Sequence, residues 1–565
     1  MNSSLSSRHL FPLLAAGFMS FLPLMLFLSN TGCVMGPARK TLVSKWSRFE
    51  ASFVSATAYT NPIQQAEFRV TFTSPTGDRR TVPGFWDGGA TWRIRFAPDQ
   101  PGEWIYTTEC SDVVNRGLHR QTGRFTCVAP TGASRFSQHG PIKVAHDGRF
   151  LIHDDRTPFF WVGDTAWNGP MKSTPSEWEH YLHVRNRQKF NAVQWVTTQF
   201  RAAPDGDREH RPAFTGSNSI ALNIEFFRRL DDKVDALTQA GLLNVPVLLW
   251  SHGGSAVNPG VSLPEDQAIL LARYMVARWQ ANPTVWMLNG DGDYRGAQAE
   301  KWKRIGRAVF GDIWHAPVTL HPGGRIWVME NFKQETWLDL CGYQSGHNDS
   351  DDNLRWIFSG PASTTWKTDP ARPYLSLEAP YENHNGARGG KPMDALIVRR
   401  AHYWSLLNAP VTGVTYGGHG VWGWDDGTKP PVDHPNTGIP LPLKQALVMP
   451  GAEQMAHLAT FFNSIDFWRL RPAPEILGKQ PGVQDPRKFI SAVRSDEKDL
   501  VVVYTPEERI VSLMIEAIPP GCTTAWINPR NGERRVAVAV VTDRTCEFPT
   551  PDIGDWLLLI QQGKR

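Results

Sequence analysis

The feature that most constrains this chain is a change of periodicity near residue 150. From there to about residue 448, short apolar runs alternate with stretches patterned for helices. The runs cover 159–164, 192–199, 245–251, 284–290, 317–321, 337–343, 373–378 and 413–417. The first is followed by Thr174-Pro175-Ser176-Glu177, a capping box with proline at the first helical position, and then by Trp178, Tyr181 and Leu182 on one face. Between the second and third runs, Leu230, Val234 and Leu237 repeat at helical spacing until Gly241 stops them. Eight apolar strands, mostly with helices between them, predict a (β/α)8 TIM barrel over 140–448. A doubly wound open sheet is the alternative, but no glycine-rich phosphate loop accompanies these strands.

The flanks read differently. Over 43–130 the chain shows short alternating runs split by turns, such as 66–72 before Ser74-Pro75-Thr76-Gly77-Asp78, which predicts an N-terminal β-sandwich. It reads as a spacer or a carbohydrate-binding module. Over 451–565 a helix around 455–464 precedes further strand-like runs, predicting a C-terminal β-sandwich. The fold class is therefore α/β, with a barrel between two β-domains. With 41% hydrophobic and 20% charged residues in 565, the chain can bury such cores. Its net charge of only +4, without a basic stripe, predicts no nucleic-acid partner. The 23 tryptophans against 11 tyrosines suit either sugar-stacking platforms or sandwich and barrel cores.

Residues 1–33 read as an export signal: Arg8 and His9, an apolar run over 10–28, then Thr31-Gly32-Cys33. The last three resemble the end of a bacterial lipobox, which would make Cys33 a lipidated amino terminus and the only link to a membrane. Plain cleavage and a retained anchor are the alternatives. Each predicts an exported protein: a periplasmic, outer-membrane or cell-surface lipoprotein, or otherwise a secreted chain. Cys110 with Cys127, and Cys522 with Cys546, fall in pairs within one predicted β-domain each and are expected to form disulfides.

In a barrel, chemistry gathers at the carboxyl ends of the strands. Those positions carry Asp164, Gln199, His252, Asp291 with Asp293, His321, Gln344 with His347, Glu378 with Glu382, and Tyr416 with His419 and Trp422. Such a polar cup with aromatic walls suits a hydroxyl-rich ligand. Hydrolysis of a glycosidic bond needs one carboxyl group to protonate the leaving oxygen and another to attack the anomeric carbon or activate water. Asp291 after the fourth strand and Glu378 after the seventh are the sharpest pair, and Glu382 could replace Glu378. Asp291 also reads as a turn residue, Glu378 as an ion-pair member, and each lone histidine as a satisfied structural group. No cofactor is expected and no catalytic metal, since the first strand ends Gly163-Asp164-Thr165-Ala166-Trp167 without His-x-His, and no H-E-x-x-H occurs. No G-x-S-x-G elbow supports serine chemistry.

The segments Phe159-Phe160-Trp161-Val162-Gly163-Asp164-Thr165-Ala166-Trp167, Trp286-Met287-Leu288-Asn289-Gly290-Asp291, Gln344-Ser345-Gly346-His347, Glu378-Ala379-Pro380-Tyr381-Glu382 and Thr415-Tyr416-Gly417-Gly418-His419-Gly420-Val421-Trp422 resemble, in order, those of the apiosidase-like glycoside hydrolases. The resemblance implies a barrel hydrolase of plant-cell-wall glycans, with relatives that release side chains of complex pectin. It also implies an N-terminal β-sandwich and a C-terminal β-domain bearing a collagen-binding label, for which nothing in 451–565 argues physically. The family's catalytic Asp falls on Asp291 and its Glu on Glu378 or Glu382. Asp164, Trp167, Gln199, His252, His321, Gln344, His347, Glu382, Tyr416, His419 and Trp422 would line the sugar site. One departure stands out: Asn289-Gly290-Asp291-Gly292 replaces Gly-Gly-Asp-Arg, which removes a strand-end arginine and points to a different subsite. A non-catalytic glycan-binding protein on a degenerate barrel is the rival reading.

Overall fold

The computed structural model describes residues 41–386, 390–507 and 509–563. Residues 1–33 and Cys33 lie outside them. At the centre are eight parallel strands: β1 (Trp161–Thr165), β2 (Ala192–Val196), β3 (Leu243–Trp250), β4 (Trp286–Gly292), β5 (Val318–Pro322), β6 (Cys341–Gln344), β7 (Tyr374–Glu378) and β8 (Gly413–Tyr416). Their ladders run in the order β5-β4-β3-β2-β1-β8-β7-β6, a nearly closed barrel. The seam between β5 and β6 is stitched where the amides of Asp339 and Leu340 both donate to the Val318 carbonyl, at 2.9 and 3.1 Å. Gly342 permits the approach, because a Cβ there would lie 2.5 Å from the Leu320 carbonyl oxygen. Nearly every residue of these strands is buried, as expected of strands covered on both faces.

Helices α1 (Pro175–Arg187), α2 (Ile224–Gln239), α3 (Glu265–Trp279), α4 (Ala297–Phe310), α5 (Asp351–Ser359) and α6 (Ala395–Leu407) cover the barrel; after β5 there is only a turn of helix, Met329–Phe332. The capping box at α1 forms: Thr174 Oγ1 accepts from the Glu177 amide at 3.1 Å and Glu177 Oε2 from the Thr174 amide at 2.8 Å. Leu230, Val234 and Leu237 do lie on the buried face of α2. The helix expected at 455–464 is α7 (Pro450–Asn463), which packs on the barrel through Phe462 and Phe160, their rings 4.9 Å apart. It thus belongs to the barrel's helical layer as well as to the C-terminal core.

In the N-terminal domain a five-stranded and a three-stranded sheet face each other. Phe49 stacks on Phe125 at 4.2 Å and Phe96 on Phe72 at 4.1 Å between the two. Buried charges tie this domain to the barrel helices. Arg95 donates to Asp231 of α2 at 2.9 Å, while Arg278 of α3 bonds both Asp231 and Asp87 at 3.0 Å. The C-terminal domain has a six-stranded and a three-stranded sheet, held to α6 by the Arg399–Asp555 pair at 2.6 Å.

The expected Cys110–Cys127 disulfide is excluded by register. Cys110 pairs with Phe68 at one end of its strand, whereas Cys127 pairs with Gly102 at the other. Eight residues of extended chain separate those levels, roughly 27 Å at the strand rise, far beyond disulfide reach. Cys522 and Cys546 are free thiols on two different sheets of the C-terminal domain.

Candidate active site

Glu378 ends β7 and is turned inward by an irregularity in the sheet. Tyr343 of β6 pairs with Ser376, but the next residue, Gln344, pairs with Glu378, so Leu377 is an extra residue on β7. Such a bulge resets the alternation of side chains. The Glu378 carboxylate is buried and fully engaged: His347 Nε2 donates to Oε1 at 2.7 Å and the Tyr381 hydroxyl to Oε2 at 2.7 Å. His321 Nε2 lies 3.4 Å from Oε2. Burial alone would favour the protonated acid, but His321 and His347 outweigh it and hold Glu378 far below the usual carboxylate range. At pH 7 this is a fixed negative charge.

Asp291 occupies a second irregularity, where β4 slips against β5 between Gly290 and Gly292. Its backbone is left-handed, with φ +54°, a conformation more open to Asp than to most side chains. It is half-buried, and Oδ1 accepts from Gln344 Nε2 at 3.0 Å. Gln344, the ladder neighbour of Glu378, therefore joins the two carboxylates across one end of the barrel. Gly290, just before Asp291, admits the Trp250 ring of β3 against β4: a Cβ there would lie 2.5 Å from it.

Aromatic groups wall this cup. Trp167 meets His321 edge-on at 5.2 Å and Trp250 at 5.4 Å. On the other side a row of rings runs His347–His384–His419, 4.9 and 5.0 Å apart, ending on Trp422. His419 donates Nδ1–H to the Asn383 carbonyl, and burial pushes its pKa down to about 4. Burial and the two flanking histidines hold His384 still lower. Both rings are neutral at pH 7 and act as polarisable walls. His321 turns Nε2 toward Glu378 Oε2, and its buried Nδ1 has no partner in the protein, so that nitrogen remains to be used by a ligand or water.

The segment 433–438 crosses the mouth. Arg201 donates to the Asp433 carboxylate and carbonyl, both at 2.8 Å, and His434 packs against Trp422 at 5.0 Å. Thr437 bonds His419 at 3.3 Å and its carbonyl accepts from the Asn385 amide at 3.0 Å.

Four expected lining residues are engaged elsewhere, and a fifth, His252, is half-exposed at the end of β3. On β1 and β8, Gly163 pairs with Thr415 and Asp164 with Tyr416. Thr415 faces the interior with Trp161, so Asp164 and Tyr416 point outward to the helices by the two-residue period. Asp164 is an ion-pair partner of Arg185 at 2.7 Å and accepts from Tyr181. The Tyr416 hydroxyl donates to Glu382 Oε2 at 2.6 Å, and Glu382 Oε1 accepts from the Gly451 amide at 2.9 Å. Glu382 therefore caps the start of α7 rather than facing the cup. Gln199 spends both ends of its amide on the backbone at Ala213 and Phe214. Among the described residues no group of three or more His, Cys, Asp or Glu is arranged to hold a metal ion.

The family model for the apiosidase-like catalytic domain matches residues 145–469, more than half of the chain and all the elements that build this cup. The chain belongs to the apiosidase-like glycoside hydrolases. A second model, a domain of unknown function, matches residues 42–111 of the N-terminal domain. Solved structures share the fold. One described as a glycoside hydrolase is 21% identical, with 77% of this chain and 99% of that one aligned at a TM-score of 0.65. A family 5 glycoside hydrolase from Bacteroides vulgatus is 20% identical, covering 77% and 96% at 0.66. A third, described as a candidate glycoside hydrolase from the same organism, is 17% identical and covers 92% and 100% at 0.68. No curated protein matches the sequence.

In this apiosidase-like chain four site residues escaped the strand-end reasoning: Trp250, Tyr381, His384 and His434. Tyr381 follows Glu378 by three residues in Glu-Ala-Pro-Tyr, a spacing that could have marked it. His384 and His434 sit in long loops with no periodic signal.

Proposed function

We propose that this glycoside hydrolase cleaves glycosidic bonds in plant-cell-wall glycans, with pectic side chains as its substrate class, through Asp291 and Glu378. The observation that carries the reading is the Glu378 carboxylate, kept ionised in a buried cup by His347, Tyr381 and His321 and joined through Gln344 to a less buried Asp291. The roles follow from environment. Asp291 gives its proton to the leaving oxygen as the glycosidic bond breaks. Glu378 supplies the electron pair, either directly to the anomeric carbon or by taking a proton from the attacking water. The anomeric configuration of the first product separates these two courses. His321, Gln344, His347, Trp167 and Trp422 bind and stack on the sugar. Export, with Cys33 as a lipid-bearing amino terminus, is part of the same proposal and is supported by the apolar run over 10–28. Mass spectrometry of the mature amino terminus tests it: an acylated Cys33 supports it, and a free amino terminus at any other residue contradicts it.

The catalytic reading is tested by sugar release from a panel of plant-wall glycans, pectic ones included. Release by the wild type that falls about 10²–10⁴-fold in both Asp291→Asn and Glu378→Gln supports it. Binding without release, unchanged in both variants, supports the glycan-binding rival instead.

A further inference from the structure

A groove of about 1210 Å³ lies beside the cup, between the loops that follow β1 and β8. It exceeds the size usual for one small ligand, roughly 300–1,000 Å³. It opens on the same end of the barrel as Glu378 and shares a wall with the cup. The Asn168 amide N–H donates to the Trp422 carbonyl and its side chain to the carbonyls of Ala202 and Gly423, so the cup's Trp422 and the groove's Trp424 are two residues apart on one bonded strip. On the far side, Pro431 and Val432 line the groove while His434 of the same strap faces the cup.

Three features mark the groove as built for a ligand. Trp424 is held left-handed, φ +61°, an unfavourable conformation for a bulky residue and one that clusters at binding sites. Asn168, only 4% exposed, has no partner for its side-chain oxygen, and the Asp425 Oδ2 beside it has none either. Neither atom is satisfied by the protein, which is unusual for buried polar groups. The lining mixes an indole and prolines with donors, Lys172 and Lys429, and acceptors, Asp425 and Asn168. Interleaved donors and acceptors beside flat apolar faces suit alternating hydroxyl and C–H surfaces rather than a uniformly charged polymer.

We infer that this groove is a second binding site, which holds the neutral, hydroxyl-bearing glycan chain continuing from the sugar in the cup, with Trp424 as its stacking platform. The inference rests on the glycosidase reading for what the cup holds, but the groove can be tested without turnover. Isothermal calorimetry with the full-length Glu378→Gln protein, titrated with neutral oligosaccharides from hemicellulose and pectin side chains, gives the reference affinity. Adding Trp424→Ala should weaken binding about tenfold, the loss expected for one stacking face. Adding Lys429→Ala, at an exposed position away from the packed core, should weaken it several-fold and guards against a Trp424 variant that fails to fold. Oligosaccharide binding unchanged in both double variants overturns the inference, even if the wild type hydrolyses glycans. Weakened binding in both, with no hydrolysis by the wild type, leaves the groove standing and sinks the glycosidase reading alone.

Discussion

In the proposed mechanism the chemistry concentrates on Glu378, a buried carboxylate that accepts hydrogen bonds from His347 and Tyr381 with the His321 ring nitrogen 3.4 Å away. Hydrogen bonds to charged groups are worth about 1.5–3 kcal/mol, so Tyr381→Phe should lower kcat by about ten- to a hundredfold, and steady-state kinetics would read it. The same bonds make a statement about pH. The folded pKa of Glu378 lies below the unfolded glutamate value of about 4.3. Its contribution to stability is therefore complete above that value and is lost as pH falls through the folded one. Acid titration of unfolding should show a decline at low pH that is smaller in Glu378→Gln; equal declines would mean Glu378 is not held ionised. Glu382 and Asp164 make the contrast. Both are buried carboxylates at strand ends, yet Glu382→Gln should lower the melting temperature through a weakened helix start, at about 1 kcal/mol. Asp164→Asn should cost about 3–5 kcal/mol by stranding Arg185, read by urea unfolding. In both, turnover per folded molecule should stay near the wild type.

Elements explain why some of this was legible and some was not. Hydrophobic runs and caps are local signals, so the eight strands, α1 and α2 could be read from Thr174-Pro175-Ser176-Glu177 and from Leu230, Val234 and Leu237. Which face a strand-end residue takes is a matter of parity. A plain two-residue alternation sends Asp164 and Tyr416 outward, where the expectation had them in the cup. The same alternation would have hidden Glu378 as well; the extra Leu377 brings it in, and nothing local in Tyr-Leu-Ser-Leu-Glu announces a bulge that depends on pairing with β6. The Cys110–Cys127 expectation failed for a related reason, since spacing along the chain says nothing of position along a ladder. Gly290 is the element-scale test. Gly290→Ala would press a methyl group into the Trp250 ring, with overpacking worth about 1–3 kcal/mol. The account predicts both a lower melting temperature and reduced activity, because Trp250 packs against Trp167 and His321.

Across the whole molecule, the three bodies are joined by buried charge rather than loosely linked. Arg278, Asp231, Asp87 and Arg95 cross from the N-terminal domain to α2 and α3, and Arg399 and Asp555 cross from α6 to the C-terminal sheets. A chain shortened to begin after residue 130 would leave Arg278 and Asp231 without two of their partners. It should fail to give a cooperatively unfolding barrel by circular dichroism; an active, cooperatively melting fragment would show the domain to be a dispensable spacer. Most of the tryptophans, Trp104, Trp195, Trp279 and Trp556 among them, serve these cores, while Trp167, Trp250 and Trp422 wall the cup. The most direct measurement is sugar release from pectic and other plant-wall glycans by the wild type, Asp291→Asn, Glu378→Gln and Glu382→Gln side by side. The account predicts release by the wild type and Glu382→Gln, and its loss in the other two. Full release by Glu378→Gln, or its loss only in Glu382→Gln, would contradict it.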